Sequence, residues 1–237
     1  GNNSIRDIAG LIEDTGIKLY PLKLVSDGFF GLSVTADDGG PAIVVNVWER
    51  ISVERWIFST AHELGHLLLH LDSYDVDQVV EDQNQEREAN IFASFFLMPD
   101  ESFESEWQET AGLDLVSRVL KLKSLFNVSY KTVLYRISER VGNDIWYRFN
   151  NAYARKFGHC LKRSDETMAL DPSSFHCDPE ILRANEPEAI SKRHFVEDRL
   201  SRLVRLALET GKISLSRGAE ILGYDLITMR EIASSWI

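Results

Sequence analysis

The histidines of residues 60–70 constrain the chain most, because they can act together only if this segment is a helix. His62 and His66 are four residues apart, and Glu63 directly follows the first histidine. Residues at this spacing lie on one face of an α-helix, so both imidazoles can reach a single metal ion. Glu63 then lies beside the metal, where it can take a proton from a water molecule. This His-Glu-x-x-His pattern predicts a zinc site of the kind that metalloproteases use.

A buried helix that carries histidines by chance is the alternative explanation of this short pattern. Ser52 is the expected cap of the helix, and a separate packing face follows it at spacings of three and four residues. The residues of this face are Val53, Trp56, Ile57, Thr60, Ala61, Leu64 and Leu68. Burial of the helix therefore does not require the histidines, and they are available to face a cleft.

His70 lies one further turn along the same face. One ion cannot easily bridge three successive turns of a straight helix, so we expect His70 to support the site or to end the helix rather than to bind the metal. The metzincin pattern would place a glycine at residue 69 and a histidine at residue 72. These residues are Leu69 and Asp72, which excludes that class of protease.

A catalytic zinc site needs three protein ligands and a water molecule, so a third ligand is required. The next predicted helix, residues 86–98, offers Glu86 and Glu88. Glu86 shares its face with small residues, which would allow this helix to approach the first one closely opposite Gly65. Asn90 lies one turn after Glu86 and can hold a ligand histidine by a hydrogen bond. We therefore favour Glu86 as the third ligand, with Glu88 as the alternative.

The residues before the central helix predict a small, largely antiparallel sheet. Segments 17–20, 28–35 and 42–46 are rich in β-branched and aromatic residues. Residues 37–40, Asp-Asp-Gly-Gly, are a turn signal between the last two strands. The predicted class is α+β, with this sheet packed on the two site helices and followed by an all-α region with helix-turn-helix-like units.

Charge and composition predict three regions. We expect a metallopeptidase domain over residues 1–110, a basic helical region over 111–164 and a C-terminal helical region over 165–237. Residues 1–117 contain 6 basic and 22 acidic side chains, whereas residues 118–164 contain 11 basic and 2 acidic ones. The acidic part argues against nucleic-acid binding by the first half of the chain.

The basic region predicts two helices, residues 120–126 and 130–141, joined by a tight turn. Five cations give them a basic face: Lys121, Lys123, Lys131, Arg136 and Arg140. A DNA-reading helix-turn-helix is one interpretation. We favour the other, in which these helices pack on the peptidase and receive its substrate.

The cysteine content indicates a reducing compartment. Cys160 and Cys177 are too few for a disulfide framework, which favours a cytoplasmic protein. Each follows a histidine, but the spacing matches no zinc motif that we can justify. The sequence contains no signal peptide and no apolar run of the length that a membrane span needs.

Three segments together resemble the ImmA/IrrE-like family of metallopeptidases. They are Thr60-Ala61-His62-Glu63-Leu64-Gly65-His66, then Glu86-x-x-Ala89-Asn90-x-Phe92-Ala93, then Leu97-Met98-Pro99. The resemblance implies a minimal gluzincin-like fold in which His62, His66 and Glu86 bind Zn²⁺ and Glu63 is the catalytic base. It extends over residues 15–100, including the strand at 43–46.

The resemblance also implies a substrate. Members of the family are bacterial or phage-related cytosolic proteases that cut helix-turn-helix repressors and so switch on stress or mobile-element genes. Such a repressor is often encoded beside the protease or fused to it. The first residue, Gly1, is not Met, which would fit the removal of an upstream DNA-binding domain.

The sequence therefore predicts a zinc-dependent metalloendopeptidase that relieves repression. The alternative is a regulatory or DNA-binding protein of a stress, phage or toxin–antitoxin system whose metal site is inactive or structural. The strand ending at Val45-Asn46 is expected to align an extended substrate by edge pairing. Four residues are candidates for stabilising the oxyanion: Tyr20, Tyr130, Arg136 and His194.

Overall fold

The chain divides into two compact units, Gly1–Phe195 and Val196–Ile237. The structure is a computed structural model that describes residues 4–26, 28–37, 39–70, 82–161, 186–195 and 199–234. The described residues form ten α-helices and one three-stranded sheet, which confirms the predicted α+β class. None of the described helices is long and apolar enough to cross a membrane.

The first unit begins with helix α1 and a sheet of three strands. Helix α1 is Ile8–Asp14, and the strands are β1 (Lys18–Leu22), β2 (Gly31–Val34) and β3 (Ala42–Asn46). The strand order is β1-β3-β2. The three strands alternate in direction along the chain, and β3 lies between the other two. It is therefore antiparallel to β2 and parallel to β1, and the sheet is mixed rather than largely antiparallel.

Asn46, at the end of β3, organises the loop that precedes β2. Its side chain is fully buried, and its amide nitrogen donates to the carbonyl oxygens of Leu24 at 2.8 Å and Phe29 at 2.9 Å. Its amide oxygen accepts from the backbone N–H groups of Leu24 and Trp48. One buried side chain thus fixes both ends of the 24–29 loop against the sheet.

Helix α2 (Val53–Leu69) is the central helix of the unit. Its cap is Ser52, as expected, since the Ser52 hydroxyl accepts from the backbone N–H of Arg55 at 3.2 Å. The packing face is buried as predicted, except for the exposed Leu68. Helix α3 (Gln83–Leu97) packs across α2, and α4 (Asp100–Glu109) follows it.

Three further helices continue the same hydrophobic core: α5 (Leu115–Phe126), α6 (Tyr130–Val141) and α7 (Asp144–Phe157). Asn127 makes the turn between α5 and α6 with a left-handed backbone, φ 54°, and Ser129 caps α6. The predicted helix–turn–helix is therefore present. The predicted boundaries after residues 110 and 164 stay predictions about functional regions.

The prediction of a basic face on these helices is wrong for two of its five residues, because they are buried. Lys123 and Arg136 are each only 1% exposed. The Lys123 ammonium lies 2.5 Å from the carboxylate of Glu54, a buried residue of α2. Arg136 donates to the backbone oxygen of Met98 at 3.1 Å and pairs with Asp100. Neither cation contributes to an exposed basic face, because each is buried and paired with a carboxylate.

The second unit contains helices α8 (Arg199–Glu209), α9 (Leu215–Leu222) and α10 (Leu226–Ser234). Its small core contains Val204, Ala219 and Met229, and partly buried apolar side chains pack around them. The three helices agree with the helical C-terminal region expected from the sequence.

Candidate metal centre

The crossing of α2 and α3 depends on Gly65. A Cβ atom at this residue would lie 3.2 Å from the Cα atom of Ala89 and 3.0 Å from the ring of Phe92. Such distances are closer than side chains normally pack, so glycine allows the two backbones to approach this closely. Glu86 precedes Ala89 by one turn of α3 and is thereby brought over the histidine face of α2.

Three potential ligands converge at this crossing. The Nε2 atoms of His62 and His66 are 3.0 Å apart. The two carboxylate oxygens of Glu86 lie 3.3 Å from the His62 Nε2 atom and 3.1 Å from the His66 Nε2 atom. Ligand atoms about 2.0–2.1 Å from a tetrahedral zinc ion are about 3.3–3.4 Å from one another, so the three donors fit one ion.

Asn90 orients His62 as the sequence suggested. The amide oxygen of Asn90 lies 3.1 Å from the Nδ1 atom of His62. An amide oxygen can only accept, so Nδ1 carries the hydrogen and the Nε2 lone pair faces Glu86. Burial lowers the pKa of His62 and of His66, and the carboxylate of Glu86 opposes this effect. Both imidazoles are therefore expected to be neutral at pH 7 and able to bind a metal.

His70 forms a relay from His66 to Glu88. The Nδ1 atoms of His66 and His70 are 3.1 Å apart, and the His70 Nε2 atom lies 3.0 Å from a carboxylate oxygen of Glu88. Because that carboxylate accepts the His70 Nε2–H, the Nδ1 atom of His70 can accept the His66 Nδ1–H. Glu88 thus contacts His70, whereas Glu86 contacts the two Nε2 atoms. The choice of Glu86 over Glu88 as a metal ligand stays a prediction.

Glu63 lies in the same cleft, against β2. It is 9% exposed, and a Cβ atom on Gly31 would lie 2.9 Å from the Glu63 Cγ atom, so a glycine leaves room for the glutamate. Burial, the largest cause, and the charge of Glu86 together raise the pKa of Glu63 to about 7, although a hydrogen bond from Ser33 acts in the opposite direction. A carboxyl group with such a pKa can accept and return a proton near neutral pH.

The cleft has a volume of about 290 Å³ and lies between the 28–31 segment, α2 and α3. Its lining residues are Gly28, Phe29, Phe30, Gly31, Arg55, Phe58, Ser59, His62, Glu63, Glu86 and Asn90. Arg55 is not among the site residues predicted from the sequence, and its guanidinium carbon lies 4.3 Å from the centroid of the Phe30 ring. The sequence could have identified Arg55, because it lies two helical turns before His62 and hence on the same face of α2.

The four expected oxyanion candidates do not line this cleft. Arg136 and Tyr130 are buried elsewhere in the unit, with Tyr130 stacked on Phe149. Tyr20 is exposed on β1, the strand farthest from β2, and His194 is exposed in a short 3₁₀ helix, Lys192–His194.

Edge pairing with β3 was also a wrong expectation. Both sides of β3 are already paired, by β1 and by β2. Within the described sheet, β2 is the edge strand beside Glu63, since it starts at Gly31. An extended substrate near the cleft would therefore meet β2.

Among the described residues, His62, His66 and Glu86 form a cluster whose ligand atoms lie close enough together to hold one metal ion. Cys160 is exposed, whereas Cys177 and the histidine before it lie outside the described residues.

A comparison with models of known protein families agrees with the pattern of the site. A family model described as IrrE N-terminal-like domain, peptidase family M78, matches residues 12–138, which is more than half of the chain. No curated protein matches the chain. A solved structure of a Mycobacterium tuberculosis transcriptional regulator is similar at 21% identity and a TM-score of 0.38. The match covers 55% of this chain and 39% of the regulator, so this chain spans less than half of the regulator's length.

Proposed function

Because this chain belongs to the IrrE N-terminal-like family, whose members are usually zinc-dependent, we propose that it is a zinc metalloendopeptidase. The observation that carries the proposal is the convergence of Glu86 on the Nε2 atoms of His62 and His66, beside the buried Glu63. Catalytic zinc sites use three protein ligands, whereas structural sites are closed by four. The described cluster offers three.

The chemistry assigned to the chain's own residues starts at Glu63. When bound by His62, His66 and Glu86, Zn²⁺ acts as a Lewis acid toward water and the scissile carbonyl. Glu63 accepts a proton from the attacking water on its carboxylate and delivers that proton to the leaving amine. Its raised pKa in the folded chain reflects the water-poor surroundings that favour this exchange.

Other parts of the site position the imidazoles, supply a positive charge and offer an edge strand to the substrate. Asn90 and His70 hold the imidazoles of His62 and His66 in position, which supports a fixed set of ligands. We assign to Arg55 the role of a cation facing the substrate carbonyl, because it lines the same cleft as Glu63. The edge of β2 is the proposed binding strand for an extended substrate.

The proposed substrate is a helix-turn-helix transcriptional repressor, encoded beside the protease or fused to it. Support comes from the family match and from the resemblance to repressor-cleaving proteases. DNA binding by this chain is not favoured, because two of the five cations of the helix-turn-helix are buried in ion pairs. We propose that the helices α5 to α7 support the cleft and contact the substrate.

Co-expression with the repressor encoded by the neighbouring gene tests this function. The wild-type chain should produce one specific pair of repressor fragments, which mass spectrometry of the new termini would identify. Glu63→Gln should abolish cleavage while its zinc content stays normal. Glu109→Gln, which changes an exposed glutamate at the end of α4, is the matched control and should cleave normally.

Two results would contradict the proposal. If Glu63→Gln cleaves the repressor at the wild-type rate, Glu63 is not the base. If the repressor stays intact and its operator is nevertheless released, the chain acts as a regulator without proteolysis. The second result would favour the alternative in which the metal site is inactive.

A further inference from the structure

A second cavity adjoins the metal cleft. Its volume is about 560 Å³, in the range of sites that bind small ligands and side chains. It shares Arg55, Phe58, Glu86 and Asn90 with the lining of the metal cleft, so the two spaces are adjacent. A polypeptide that crosses the cleft would therefore place a neighbouring side chain at this cavity.

The walls of this cavity are largely apolar and come from four helices. Phe58 of α2, Ile91 of α3, Tyr135 of α6 and Trp146 of α7 all line it. Phe58, Ile91 and Trp146 are only partly buried, and Tyr135 is 43% exposed. A large apolar side chain that displaces water from these exposed apolar surfaces would bind favourably.

The charges around the cavity are mostly positive. Arg55, Arg87 and Lys131 line it, whereas its one acidic lining residue is Glu86, which is committed to the proposed metal site. The whole chain has a formal net charge of −11, so three cations around one cavity differ from the average surface. Such a rim attracts carboxylates and disfavours a basic segment.

We propose that this cavity is a specificity subsite for a large apolar residue flanked by acidic residues in the substrate polypeptide. The proposal rests on the proposed peptidase function, because the cavity can select a substrate only if that substrate is bound in the adjoining cleft. It specifies the chemical character of the substrate segment that the protease would select. The apolar walls receive the large side chain, and the cations Arg87 and Lys131 receive the neighbouring carboxylates.

Binding of short peptides to the zinc-loaded Glu63→Gln variant of the 237-residue chain tests the subsite separately from catalysis. Three fluorescein-labelled pentapeptides serve as probes in fluorescence anisotropy. The first contains phenylalanine flanked by glutamate and aspartate, the second replaces the phenylalanine with glycine, and the third replaces both acids with lysine. We expect the second and third peptides to bind at least about tenfold more weakly than the first.

Two variants test whether the binding occurs in this cavity. Ile91→Trp fills the apolar space and should weaken the first peptide by about tenfold or more. Lys131→Glu reverses one charge and should weaken the first peptide while strengthening the lysine peptide. Tyr147→Ala and Lys121→Glu are matched controls, since both residues are exposed and neither lines the cavity. Thermal unfolding of each variant checks that the chain is folded.

The outcomes separate the subsite from the peptidase function. Equal binding of the three peptides, absent binding of all three at millimolar concentration, or unchanged binding in both cavity variants would overturn the subsite. If the peptides bind in the expected order but wild-type protein cleaves no polypeptide, the proposed peptidase function fails and the subsite stands.

Discussion

His70 provides the sharpest test of how the metal centre is held. We predict that His70→Phe, which keeps a ring of similar size and removes both nitrogens, weakens zinc binding without unfolding the chain. In the wild-type protein the His70 Nδ1 atom lies 3.1 Å from His66 and its Nε2 atom lies 3.0 Å from Glu88. The variant leaves the His66 Nδ1–H without an acceptor on the protein.

The size of the effect follows from burial. Leaving a buried donor unsatisfied costs about 1–3 kcal/mol. The His66 side chain is 15% exposed, so water can replace part of the lost bond, and the lower half of this range applies. A cost of about 1–2 kcal/mol corresponds to a zinc Kd that is about 5–30 times higher. The Glu88 side chain is 62% exposed, so Glu88→Gln should raise the Kd less than about threefold.

Competition with a chromophoric zinc chelator, starting from metal-free protein, measures these constants. Leu69→Ala is the matched control, because Leu69 is the neighbouring residue and is 52% exposed. Thermal unfolding of the metal-free variants separates lost positioning from lost stability. If His70→Phe binds zinc as tightly as Leu69→Ala does, His70 does not position His66 and the relay has no role in metal binding.

Three further predictions concern the framework of the site. Gly65→Ala should separate α2 from α3, because its Cβ atom would lie 3.2 Å from the Cα atom of Ala89. We expect the free energy of unfolding to fall by about 1–3 kcal/mol and zinc binding to weaken. An unchanged melting temperature and zinc affinity would refute this. Burial raises the pKa of Glu186 from 4.5 to about 8. Between these pH values the folded chain therefore binds more protons than the unfolded chain. Its stability should fall as the pH rises from 5 to 8. Urea unfolding across this range should show the slope in wild type and a flatter one in Glu186→Gln, and identical slopes would contradict the assignment. Asn46→Leu should release the loop between Leu24 and Phe29, since the three hydrogen bonds from the Asn46 side chain to these residues are lost. Limited proteolysis should then cut the loop faster than in the wild-type protein.

The helical part of the site follows directly from the sequence. The period of the apolar residues, the Ser52 cap and the spacing of His62 and His66 define α2, because each depends on residues within a few turns. The position of Glu86 could be inferred from the small residues on its own helical face. The structure places its carboxylate beside both imidazoles, and its role as a metal ligand remains a prediction.

Features that depend on distant partners could not be read from the sequence. Lys123 looks like a surface cation, but its partner Glu54 precedes it by 69 residues and belongs to another helix. The order of the strands has no local signal, so the sequence did not show that β3 is central and β2 is the edge. The contact between His70 and Glu88 likewise depends on the crossing of α2 and α3.

The central claim is that His62, His66 and Glu86 form one zinc site, and the zinc content of purified variants tests it most directly. Elemental analysis should find about one zinc per chain in the wild-type protein and in Glu63→Gln. His62→Ala and Glu86→Gln should lose most of the metal, whereas Glu88→Gln, the matched change two residues along α3, should keep it. Full zinc in Glu86→Gln together with loss in Glu88→Gln, or no zinc in the wild-type protein, would contradict the account.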